Sequence, residues 1–206
     1  MNIWGSEVIT MMNKDVVLNE ENVKEYSALV GIIRDTVDEK DMARICLANR
    51  TLRAKAGYDK DSNIEVNPLI KDFLDKLSYD EHNRKVEEAK KAPNSKELLS
   101  ALSNEAMQMA GYTGETMVNP YAKSFVDRTL LNREMNSLYR AKARKDATGI
   151  EEAYRRILKM TDYSSNKTFG VTNQYAQSFV DMNKAVYKRI GIQIPTQREY
   201  TEGYAI

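Results

Sequence analysis

Few side chains in this chain could do chemistry, and their spacing bounds what that chemistry could be. His82 is the only histidine. Multi-histidine metal sites are therefore excluded, as is any relay that needs a second histidine. The run Ser78-Tyr-Asp-Glu-His-Asn-Arg84 around it is polar, which predicts an exposed surface histidine. Carboxylates occur in pairs at Glu20/Glu21, Glu87/Glu88 and Glu151/Glu152. Adjacent residues on a helix point in different directions, so these read as first-turn and surface charges rather than a paired acid and base. Asp59-Lys-Asp61-Ser-Asn63-Ile-Glu65 imitates the start of a calcium loop. The sixth position of such a loop needs Gly and holds Ile64, and the twelfth needs a bidentate Glu and holds Ile70. No Gly-rich phosphate loop is present. Cys46 is the single cysteine, which excludes an internal disulfide; its helical, apolar setting predicts a buried small hydrophobe. No cofactor, metal or small-molecule substrate is indicated, and the expectation is a non-enzymatic protein.

Charge is the more informative chemistry. The chain carries 31 Lys and Arg against 30 Asp and Glu, so it is no general polyanion binder. Residues 1–46 hold nine acidic and five basic side chains. Residues 128–159 hold nine basic and four acidic ones. Within that stretch Arg133, Arg140, Lys142, Arg144, Lys145, Arg155, Arg156 and Lys159 form a candidate interaction face. Three readings compete. A long exposed helix is commonly rich in Arg and Lys. The basic middle of one subunit could meet the acidic front of another, head to tail. Or the face could bind phosphates, with Tyr139 and Tyr154 stacking on bases.

The elements that carry these residues are set by a repeat. Asn67-Pro-Leu-Ile-Lys-Asp-Phe-Leu-Asp75, Asn119-Pro-Tyr-Ala-Lys-Ser-Phe-Val-Asp127 and Asn173-Gln-Tyr-Ala-Gln-Ser-Phe-Val-Asp181 recur at intervals of 52 and 54 residues. The last two agree at seven of nine positions. Ala56-Gly57-Tyr58 and Ala110-Gly111-Tyr112 precede the first two copies, and Asp162-Tyr163 stands there in the third. Gly57 and Gly111 suit the left-handed position that closes a helix. Asn67, Asn119 and Asn173 suit the N-cap, and Pro68 and Pro120 the first helical position. Phe73, Phe125 and Phe179 fall on an apolar stripe with Leu69/Tyr121/Tyr175 and Leu74/Val126/Val180, so equivalent buried sites are expected for all three phenylalanines.

Other helices follow from the same signals. Val23, Tyr26, Val30, Ile33 and Val37 predict a helix over about 20–37. Met42, Ile45, Leu52 and Ala56 predict a second, ending at Gly57. Asn94 and Glu97 resemble a capping box, followed by Leu98, Leu102, Ala106 and Met109 on one face. The helix from Pro120 should reach about Lys145. A shorter one over 149–161 turns Ile150, Tyr154, Ile157 and Leu158 inward, and a last one runs unbroken from Gln174 to Ile190. No stretch alternates with period two, so no sheet is expected.

The expected fold is all-α: a single domain over 1–206 of tandem helix–loop–helix repeats, forming a short solenoid or bundle. An N-terminal helix or cap occupies 1–40. Repeat units cover 41–91, 94–146 and 149–190, and a tail covers 191–206, where Gly203-Tyr204 suggests the stub of a fourth unit. The tetratricopeptide and ankyrin signatures are absent. No apolar run approaches the roughly twenty residues of a spanning helix, and Met-Asn-Ile-Trp-Gly-Ser-Glu7 is no secretory signal. The composition therefore predicts a cytoplasmic protein, or one inside a particle assembled there. A subunit of a larger assembly, such as a bacteriophage virion component, is the expected function; its partner is another protein or a second copy. A nucleic-acid-binding accessory using 128–159 is the alternative, and an unfamiliar enzyme working without histidine chemistry a further one.

Overall fold

Every hydrogen-bonded element among the described residues is an α-helix. The structure is a computed structural model, and it describes residues 19–38, 42–59, 64–114, 117–168 and 170–195. The helices are α1 (Glu20–Asp38), α2 (Met42–Lys55), α3 (Pro68–Ala89), α4 (Ser95–Met109), α5 (Pro120–Ala143), α6 (Ala147–Leu158), α7 (Gln174–Met182) and α8 (Lys184–Arg189). The all-α expectation holds for these residues. The central part of the calcium-like run, the acidic residues before Asn19, and Gly203-Tyr204 lie outside them.

The chain divides into two compact units, Met1–Lys85 and Val86–Ile206, with the boundary inside α3. In the first, α1 packs on α2. Leu52, Ala56 and Ile70 are buried there, with Tyr26, Leu29, Tyr58 and Leu74 packed around them. Tyr26 meets Phe73 edge-on at 5.7 Å between centroids. In the second, α5 is the central helix and packs against α4, α6 and α7. Its core gathers Leu138, Ala153, Tyr154, Ile157, Met160, Ala176, Val180, Tyr187 and Ile192.

The stops of α2, α4, α5 and α8 share one geometry. At Gly57 the Tyr58 N–H reaches the Arg53 carbonyl and the Gly57 N–H reaches Ala54. At Gly111 the Tyr112 N–H reaches Met107 and the Gly111 N–H reaches Gln108. This pair of bonds needs a left-handed residue, and both glycines supply it, with φ of 74° and 79°. Space gives a second reason for glycine. A Cβ at Gly111 would lie 2.6 Å from a Val118 methyl, and one at Gly57 would lie 2.9 Å from Val66. The returning strand of each loop therefore presses onto the glycine. The same bonds close α5 at Lys145, whose φ is 55°, and α8 at Gly191.

Several local expectations are corrected. Asn94 makes no side-chain cap bond, so the expected capping box does not form. The shorter helix begins at Ala147, because Asp146 caps it through the Gly149 N–H. The final helix is not continuous. It breaks at Asn183, whose side-chain amide donates to the Phe179 carbonyl and whose backbone starts α8. Side chains that compete for backbone bonds in this way commonly interrupt helices.

Candidate functional site

The repeated motif builds the same clasp three times. The Asn67 Oδ1 accepts from the Leu69 and Ile70 N–H groups. The Asn119 Oδ1 accepts from Tyr121 and Ala122, and that of Asn173 from Ala176. Each Asn backbone N–H is also tied, at 2.8 Å, to a carbonyl at or just past the end of the preceding helix: those of Lys55, Met109 and Met160. The loop tyrosine then reaches the carboxylate that ends the motif. Tyr58 donates to Asp75, Tyr112 to Asp127 and Tyr163 to Asp181. A lysine one turn before the carboxylate completes the first two clasps, Lys71 with Asp75 and Lys123 with Asp127. Their ammonium groups also lie 5.9 and 5.3 Å from the centroids of the Tyr58 and Tyr112 rings.

The third clasp varies in a compensated way. Gln177 replaces the lysine and donates to Asp181 at 3.3 Å, while its oxygen accepts from the Asp162 N–H. Lys184, from the next helix, supplies the missing cation at 3.0 Å. Asp162 stands where the other copies have glycine. It replaces the tight glycine–valine contact by accepting from Lys167 and Thr172. These partners hold its carboxyl below the usual range, the Lys167 bond contributing most.

A tyrosine beside a lysine could in principle act as a phenolate base. Here burial, and next the bond to the aspartate, push the Tyr58 and Tyr112 phenols well above their ordinary value. Burial does the same to Tyr187. These phenols stay protonated at neutral pH, so in the clasp Tyr58 and Tyr112 act as hydrogen-bond donors to their aspartates. The pH dependence of the clasp follows. A phenol whose folded pKa is raised adds stability below its unfolded value, near 10, and that stability is lost as pH rises beyond it. Alkaline titration followed by ultraviolet absorbance and circular dichroism should show the Tyr58 and Tyr112 phenolates appearing together with loss of helix, above about pH 10. Their ionisation with the helices intact would contradict the clasp.

The clasp also joins helices. The Asn173 amide donates to the Asp127 carbonyl at 2.7 Å, and the Gln174 N–H donates to the Asp127 carboxylate at 3.0 Å. Lys123 donates to the Thr172 carbonyl, and the Tyr175 hydroxyl bonds Ser124 and Arg128. In the first unit the Asn67 amide reaches the Asn22 carbonyl and Glu25. Lys55 also pairs with Glu25 and, together with Asn67, lowers the pKa of that carboxyl.

The phenylalanines differ from their expected equivalence. Phe125 is 49 % exposed, and Phe73 and Phe179 are partly buried. Enclosed instead, beside apolar motif residues such as Ile70, Ala122, Val126, Ala176 and Val180, are polar ones: Asn67, Asp75, Asn119, Asp127 and Asn173. The signal for this was present as a Lys-to-Asp spacing of four after each Gly-Tyr. Two single residues are also reversed. His82 is buried, at 3 % exposure, because one face of α3 turns it inward within a polar run. Cys46 is exposed, since the inward face of α2 is carried by Ala48, Leu52 and Ala56. With Asn49, Arg50, Arg53, Tyr58 and Asp59 it lines an open hollow.

All eight basic residues of the candidate interaction face are exposed, but they do not act alike. Arg155 pairs with Glu151, and Arg156 with Glu134 and Glu152. Lys142 lies 5.8 Å from the Tyr154 ring centroid. Arg133, Arg140 and Arg144 recur at seven and four along α5, within about 20° of one line on a helix. Lys145 follows in the turn. None of these four, nor Lys159, has a carboxylate within ion-pair distance among the described residues. Tyr154 is buried, so the expected pair of stacking tyrosines reduces to Tyr139, which is 60 % exposed.

Among the described residues no group of three or more His, Cys, Asp or Glu side chains is placed to hold a metal. No helix there is long and apolar enough to cross a membrane. No protein-family model, no curated protein and no solved structure matches this chain.

Proposed function

We propose that the chain is a tandem array of about three helix–loop–helix units whose role is non-catalytic: it is a subunit that binds other protein surfaces within a larger assembly. The recurring Tyr–Asp clasp and capping Asn support the array. The observation that carries the binding role is the stripe of Arg133, Arg140 and Arg144, extended by Lys145. Exposed cations with no carboxylate nearby are left to a partner's acidic surface, where they steer encounter and fix register.

The stripe is tested by reversing these four residues to Glu. All are exposed, so circular dichroism should be unchanged. In extracts of the native source, the wild-type chain should sediment with a large complex and the reversed chain should remain free. A wild-type chain that sediments alone would remove the reading. Tyr139 beside the stripe favours a second reading, in which bases stack there. Wild-type affinity for random DNA tighter than about 1 μM at physiological salt would favour it over the first, because unspecialised basic patches bind more weakly than that.

A further inference from the structure

The face of α5 that receives α7 has a counterpart on α7 that receives no such capped helix start among the described residues. On α5 that face is Lys123, Ser124, Asp127 and Arg128, which hold Thr172, Asn173, Gln174 and Tyr175 through the bonds given above. The same four motif positions on α7 are Gln177, Ser178, Asp181 and Met182. Ser178 and Asp181 are retained. Asp127 is 1 % exposed, whereas Asp181 is open to solvent and Met182 is 78 % exposed. Among the described residues Asp181 pairs with Lys184 at the start of the adjoining α8, and no backbone N–H of another helix start bonds to these four. The α7 face is therefore built to the same plan as an occupied joint.

We propose that the start of α1 from a second copy of this chain occupies that face, so that copies join head to tail. The contact rests on the reading of the chain as an assembly subunit and names a second copy as the partner. Three features of α1 fit. Asn19 caps it as Asn173 caps α7, accepting from the Asn22 N–H at 2.7 Å, and it is exposed. Its amide is left to donate to the Asp181 carbonyl, as that of Asn173 donates to Asp127. Glu20 and Glu21 follow in the first turn, where α7 has Gln174 and Tyr175. The Glu20 N–H then faces the Asp181 carboxylate, and the Glu21 carboxylate faces the Ser178 hydroxyl. Charge is complementary as well. Beside Asp181 stands Lys184, and Lys188 and Arg189 follow it on the same short helix α8, all three exposed. Lys184 already neutralises Asp181, and Lys188 and Arg189 remain for the two glutamates. Such a contact uses different surfaces on the two copies, so it propagates into chains or rings rather than stopping at a symmetric dimer.

A charge swap tests it. One full-length variant carries Glu20→Lys and Glu21→Lys, the other Lys188→Glu and Arg189→Glu. Sedimentation velocity over roughly 1–100 μM, the range of weak specific contacts, should show concentration-dependent association of the wild type. Each variant alone should associate at least about tenfold more weakly, a difference of ~1.4 kcal/mol. Mixing the two should restore association, because each then meets an opposite charge at both joints. All four positions are exposed, and an unchanged circular dichroism spectrum confirms folding. A wild type that stays monomeric throughout, or a mixture no stronger than its parts, overturns the proposal. The four-residue reversal on α5 serves as the control. If that change abolishes self-association while the α1 and α8 variants retain it, the head-to-tail joint is wrong and the α5 stripe is the self-contact.

Discussion

Replacing Asp127 by alanine should cost about 3–5 kcal/mol, as removing one partner of a buried charged pair does. Its carboxylate accepts from the Tyr112 hydroxyl, the Lys123 ammonium and the Gln174 N–H. The Lys123 side chain is itself only 18 % exposed. Truncation therefore takes a shared acceptor from three donors, leaves the Lys123 ammonium with the Thr172 carbonyl, and admits little water to replace the carboxylate. Asp181→Ala removes the homologous carboxylate from the third clasp. There 42 % of the side chain is exposed, water substitutes, and the loss should be below about 1 kcal/mol. Urea unfolding followed by circular dichroism measures both changes. Equal losses at the two positions would mean that burial does not decide the strength of the clasp.

Tyr187→Ala should be comparably severe, at about 3–5 kcal/mol, the usual cost of truncating a core aromatic. Tyr187 is fully buried. Its ring meets Tyr154 edge-on at 4.9 Å between centroids, and its hydroxyl donates to the Tyr154 carbonyl at 3.2 Å. It belongs to the short helix α8, which has too few residues to be stable by itself. Losing the ring should therefore release α8 as well as open a cavity. Hydrogen exchange should show the α8 amides losing protection before those of α5. Tyr187→Phe keeps the ring and drops one bond, so it should cost about 1 kcal/mol. If the alanine variant costs no more than the phenylalanine variant, α8 is not anchored by this side chain.

What was legible in the sequence was local. Gly57 and Gly111 announce helix stops because only a residue without Cβ adopts the left-handed backbone at no cost. Asn119 and Asn173 announce helix starts because a short side-chain oxygen reaches the next turn's N–H groups. The interval between motif copies follows from the residues alone. These effects act within a few residues of their cause, so composition and spacing carry them.

What a distant partner decides was not legible there. Phe125 and Val126 are neighbours of similar hydrophobicity, yet Val126 is enclosed and Phe125 is half open, according to which side of α5 meets α4, α6 and α7. His82 is drawn inside a polar run and Cys46 is left outside, for the same reason. The basic residues of 128–159 looked like one face. Packing of α6 against α5 brings Glu134 to Arg156, and α6 itself brings Glu151 to Arg155, so the stripe on α5 is left over. The charge of each residue was fixed by its identity. Glu151 and Arg155, four apart on one helix, follow a local rule, but the pairing of Arg156 with Glu134 depended on an approach between helices 22 residues apart, where no local rule applies.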